Sequence, residues 1–154
     1  MKKVLALLAL AVIFTVPAHA QDEAPGSQVQ INGAILSTGF ACGHASYPLY
    51  CYGIPLDNGG TVWLDSYYNS TTAEGFLQFN NAGDLGYAQI TGTAAYRNGN
   101  GQIIQADYNF TGSTTDGDGG AYTGTATFTF SYYQAPNRAW IRRVQSATLT
   151  ITYN

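Results

Sequence analysis

The chain has 154 residues, of which only 10% are charged; six Lys and Arg face nine Asp and Glu, for a formal charge of −3. So few cations argue against a nucleic-acid footprint and against attraction to an anionic lipid surface. A hydrophobic content of 45%, with twelve Tyr, two Trp, seven Phe and eighteen Gly, argues against disorder and for pleated sheet with tight turns.

Lys2 and Lys3 open the chain, and Val4 to Val16 form a nearly unbroken apolar run. Pro17-Ala18-His19-Ala20 then offers a small-x-small cleavage pattern before the polar Gln21-Asp22-Glu23. Residues 1–20 therefore read as a bacterial-style secretory signal peptide, which implies the periplasm or the extracellular space. The run is too short to span a bilayer and no second one follows, so no membrane helix is expected. Cleavage would remove both lysines and leave four arginines against nine acids, a formal charge of −5. Residues 21–27 read as a flexible lead and residues 28–154 as one all-β domain.

The first expected strand covers Val29 to Thr38. The next segment, CGHASYPLYCY from Cys42 to Tyr52, holds both cysteines of the chain. In an oxidising compartment a spacing of nine favours a local Cys42–Cys51 disulfide, and too few nitrogen or sulfur ligands are present for a thiolate metal site. This loop is the first candidate surface: His44, Tyr47, Tyr50 and Tyr52 offer flat contacts with polar tips, at reduced entropic cost if the loop is tied. A stapled cover over one end of the core is the competing reading.

Thr61 to Tyr68 and Phe76 to Asn80 read as short strands. In the first, Trp63 and Tyr67 share a face opposite Val62 and Leu64, and they would stack on a ligand if that face is wet or join the core if it is covered. Ala88, Ile90, Gly92, Ala94 and Tyr96 form one face of the next strand, and Ile104, Ala106, Tyr108 and Phe110 one face of the strand after it. Tyr122 to Tyr133 alternates most clearly, with Tyr, Ala and Phe at even positions and Thr123, Thr125, Thr127 and Thr129 at odd ones. The last strand repeats the pattern with Ala147, Leu149, Ile151 and Tyr153 against threonines. Its apolar parity is even from Trp140 to Val144 and odd afterwards, which predicts a β-bulge near Gln145.

Asp57-Asn58-Gly59-Gly60, Asn81 to Asp84, Asn98 to Gly101, Asp116 to Gly119 and Pro136-Asn137 supply the turns. The expected fold is a single all-β antiparallel domain of about seven or eight strands, mostly in meander, arranged as a β-sandwich or an up-and-down barrel.

Three further patterns have plainer explanations. The threonine rows resemble the flat ice-contacting faces of some ice-binding proteins, although threonine also suits any wet strand face. Asp116-Gly117-Asp118-Gly119 hints at calcium, but a Ca²⁺ loop starting there would need an acid where Thr127 stands, so a turn is expected and no metal or other cofactor. Asn69-Ser70-Thr71 and Asn109-Phe110-Thr111 match the glycosylation sequon, which a bacterial host would leave bare. For catalysis there is no nucleophile elbow for His44 to serve, and Asp65 with Asp107 is the remaining carboxylate pair. The leading functional reading is a secreted or periplasmic non-catalytic binding domain, contacting a glycan, an envelope polymer or a protein through aromatic side chains. The alternative is a small outer-membrane β-barrel, supported by Tyr at both ends of two strands and opposed by the shortness of residues 61–68 and 76–80.

Overall fold

The computed structural model describes residues 26–33, 40–44, 49–68, 73–80, 85–114 and 120–154; at 40–41, 43–44, 49–50, 67–68 and 73–74 the description is of the backbone alone. Among them nine strands form one sheet: β1 (Gln28–Asn32), β2 (Phe40–His44), β3 (Leu49–Pro55), β4 (Thr61–Tyr68), β5 (Ala73–Asn80), β6 (Tyr87–Arg97), β7 (Ile103–Ser113), β8 (Ala121–Gln134) and β9 (Trp140–Tyr153). From β3 to β9 every strand pairs antiparallel with its successor in sequence, which is the expected meander. The region expected as one first strand instead supplies β1, and β2 follows it along the same edge of β9. β1 pairs with Thr148–Thr152, and β2 pairs with Ile141–Val144.

The sheet curls until its two ends meet. Gly33 bridges Leu56, and the Asp57 amide donates to the Asn32 carbonyl oxygen at 2.7 Å. The Asn32 amide and Nδ2 donate in return to the Asp57 carboxylate at 3.1 Å each. The expected disulfide forms between Cys42 and Cys51, with Cα atoms 4.4 Å apart and both residues fully buried. It joins β2, seated on β9, to β3 at the other end of the sheet. A barrel-like curl, rather than two facing sheets, is therefore the architecture.

One face of every strand is buried inside the curl. Val62 and Leu64 of β4, Leu77 and Phe79 of β5, and Phe128 and Phe130 of β8 all point there, as period-two alternation requires. The opposite face carries Thr, Gln, Asn and Asp. The threonine rows lie on it in register: Thr111, Thr123 and Thr152 are consecutive partners across β7, β8 and β9. Hairpin turns cap the strands through asparagine side chains. Asn98 Oδ1 accepts from the amides of Asn100 and Gln102 at 3.0 Å, and Asn137 Oδ1 accepts from the Ala139 amide at 3.1 Å.

Bulges decide where strict alternation fails. Thr129 pairs with Ser146 and Phe130 with Val144, so Gln145 is the extra residue, at the position expected from sequence. A second bulge, between Ile90 and Gly92, was not anticipated. It reverses the parity of β6, so Ala94 and Tyr96 face outward and Ala95 packs against the core. A third follows at Ile104, opposite the Tyr96–Arg97 step; Ile103 is buried and Ile104 exposed, the reverse of the expected face. Near the start of the chain, Gly26 and Ser27 already hydrogen-bond to the backbone of Tyr153. The rest of the expected lead and the signal lie outside the described residues.

Candidate binding site

Seven large hydrophobic side chains are exposed among the described residues, and four of them form one patch on the outer face of β3–β6: Tyr52 (50%), Trp63 (38%), Phe76 (40%) and Tyr87 (53%). Single exposed apolar residues are ordinary, but a contiguous group with polar residues set between them marks a contact surface.

Strand register builds the patch. Trp63 of β4 pairs with Gln78 of β5, and Gln78 pairs with Tyr87 of β6. One step along, Asp65 pairs with Phe76. Two aromatic pairs therefore flank a diagonal of two polar side chains. Phe76 and Tyr87 stack, with centroids 4.7 Å apart and planes at 29°. Tyr52 and Trp63 meet edge to face at 5.6 Å and 74°, a favourable arrangement for ring quadrupoles. Between the pairs lies a cleft of about 150 Å³ lined by Tyr52, Trp63, Asp65, Phe76, Gln78 and Tyr87.

Two glycines make this geometry possible. Tyr52 and Gly53 together oppose Trp63, because Cys51 pairs with Leu64 and Ile54 with Val62. Gly53 holds φ at 70°, a left-handed conformation that L side chains adopt reluctantly, and this bulge sets Tyr52 beside Trp63. Gly75, with φ at 150°, lies against the backbone of Asp65 and Ser66 so closely that a Cβ would collide with it. That close approach seats β5, and with it Phe76, next to Asp65.

Among the described residues, Asp65 is the sole charged one lining the cleft. Its Oδ1 is buried and has no hydrogen-bond partner among the described residues. Burial raises its carboxyl above the ordinary aspartate value, because desolvation disfavours the charged form. Asp107, the other carboxylate considered for catalysis, lies on β7, three strands from β4. At about 4.8 Å per strand that is roughly 14 Å, beyond the spacing of a glycosidase pair. Asp107 is also engaged, accepting from Gln105 Nε2 at 3.0 and 3.2 Å and from Thr127 Oγ1 at 2.9 Å. No cluster of His, Cys, Asp and Glu suited to a metal occurs among the described residues.

Of the residues singled out in the sequence, Tyr52 and Trp63 come together in this cleft. Tyr67 lies on β4 opposite Glu74, His44 on β2 opposite Ile141, and Tyr50 on β3 opposite Asp65, each described as backbone only. Tyr47, the Asp116–Gly119 turn and the Asn69 sequon lie outside the described residues; Asn109 is exposed on β7. Phe76, Gln78 and Tyr87 were not singled out. Strand parity held a signal for them: Phe76 alternates with the buried Leu77 in step with Gln78, and Tyr87 shares the parity of Gln89 and Thr91. Arg142 was also missed. It is fully buried, on the inward parity of β9, with its guanidinium 5.5 Å from the centre of the Phe130 ring. Comparison of the chain with known protein families, with curated proteins and with solved structures finds no match.

Proposed function

We propose that this chain is a non-catalytic carbohydrate-binding domain, acting outside the cytoplasm, whose ligand sits in the Tyr52–Trp63–Phe76–Tyr87 cleft. The observation that carries this reading is the alternation of exposed rings with Asp65 and Gln78 in one small concavity. A sugar ring has an apolar C–H face and a rim of hydroxyls. The aromatic pairs supply surface for the first, and the carboxylate and amide supply acceptors and a donor for the second. A protein partner is less well served, since a stable interface covers about 800 Å² on each side. Among the described side chains, the outer face around this cleft is mostly threonine, glutamine and asparagine.

The outer-membrane alternative asks for apolar side chains facing lipid and polar ones facing a lumen. Here most leucine, isoleucine and phenylalanine side chains point inward, Phe76 and Ile104 excepted, and outside the exposed aromatic residues the described outer face is mostly polar, which favours the water-facing reading. Export rests on the signal-like residues 1–20.

The test is a glycan-array screen followed by titration of the best hit against Trp63→Ala and Phe76→Ala. Each variant is expected to lose about tenfold or more in affinity, as central aromatic anchors do. Both should keep the wild-type melting temperature within a few degrees, since both rings lie outside the core. Wild-type affinity in both variants would remove the cleft from consideration.

A further inference from the structure

Among the described residues lining the cleft, Asp65 is the one acidic side chain and none is a cation. Its Oδ1 is buried with no hydrogen-bond partner among the described residues, and such an oxygen is costly to leave without a donor. The rings add to the same bias. The π faces of Trp and Tyr carry partial negative charge and attract cations within about 6 Å, most strongly where water is excluded. Carboxylate and rings therefore act together on a positive group and together repel a negative one. At longer range the chain is acidic, with nine carboxylates in all and a single lysine pair confined to residues 2 and 3. The cleft volume of about 150 Å³ is below the usual range for larger small-molecule ligands, and suits one ring.

We infer that the cleft selects a hexosamine ring with a free, protonated amine, the ammonium set against Asp65 and the ring between the two aromatic pairs. Gln78, diagonal to Asp65, supplies both a donor and an acceptor for neighbouring hydroxyls. N-acetylation of the ligand removes the charge and enlarges the group that Asp65 meets. Uronic, sulfated or phosphorylated sugars meet an uncompensated carboxylate. This inference rests on the carbohydrate reading above.

The experiment titrates the purified protein by calorimetry with three tetrasaccharides: β-1,4-linked glucosamine, the same oligomer N-acetylated, and the glucose analogue. The free-amine oligomer is expected to bind about tenfold tighter than the other two, with a preference that shrinks as salt rises. Asp65→Asn, which keeps the volume and removes the charge, should bring the three affinities to parity. The ligand comparison needs no variant, so it stands even if Asp65→Asn folds poorly. Equal wild-type affinities, tighter binding of the N-acetylated oligomer, or a preference that survives in folded Asp65→Asn would overturn the amine selection and leave the carbohydrate reading in place. Binding of none of the three, together with an empty glycan array, would overturn both.

Discussion

Tyr122 is fully buried, and its hydroxyl donates to the Leu85 carbonyl oxygen at 2.8 Å. Burial, with Tyr153 nearby as a second cause, pushes its phenol up to about 12 from the ordinary 10. The folded state therefore keeps a proton that the unfolded chain gives up first. The stability tied to this group is complete below pH 10 and is lost as pH rises towards 12. Tyr122→Phe is expected to cost about 1 kcal/mol at neutral pH, where it leaves the Leu85 carbonyl without its donor. That deficit should narrow above pH 10, because the variant lacks the titration. Urea midpoints measured for both proteins from neutral to alkaline pH test this, and parallel curves would refute it. At this scale the sequence was partly legible. The inward parity of Tyr122 was evident from its alternation with Thr123 and Thr125, but its acceptor lies 37 residues away, beyond any local pattern.

Among the strands, β9 shows how a single inserted residue controls a face. Arg142 and Val144 are buried on even positions and Ala147, Leu149 and Ile151 on odd ones, and Gln145 absorbs the change. Its Nε2 donates to Ser131 Oγ at 2.7 Å on the neighbouring strand. Gln145→Ala should cost about 0.5–1.5 kcal/mol, the worth of that bond. Deleting Gln145 is a different perturbation. It would turn Ile141 and Arg143 inward, expel Arg142 and Val144, and destabilise by several times as much, since a one-residue slip reverses a whole face. Thermal melts of the two variants distinguish these costs; comparable losses would mean that the bulge does not set the register. This bulge was legible because strong apolar residues stand on both sides of it. The β6 bulge was hidden, because Gly92, Ala94 and Ala95 are too small to declare a face.

For the whole molecule, the decisive fact is which way the apolar face points. Curling brings β1 and β2 to β3, and the buried Cys42–Cys51 bond and the Asn32–Asp57 pair fasten that closure. Side chains that alternate along each strand then separate into an apolar interior and an outer surface of threonine and amides interrupted by the exposed aromatic patch. On the water-facing reading proposed above, a protein built this way needs no detergent. The mature chain is expected in the buffer-extracted fraction of broken cells, and recovery solely in detergent would favour the outer-membrane alternative.

The sequence by itself determined the all-β class, the meander, the disulfide pairing and the Gln145 bulge, because each rests on neighbours along one strand or on the chain's only two cysteines. The tertiary structure decided the rest. Period-two alternation says that a strand has two faces and leaves open which one is wet, so Trp63 was open to a core reading, the favoured one, and to a surface reading. Closure of the sheet settled that question by burying Val62 and Leu64. Register across β3–β6 then set Trp63 beside Tyr52, Asp65, Phe76 and Tyr87, residues up to 35 positions apart in the chain. Side-chain alternation is local, whereas a site on a sheet is made across strands.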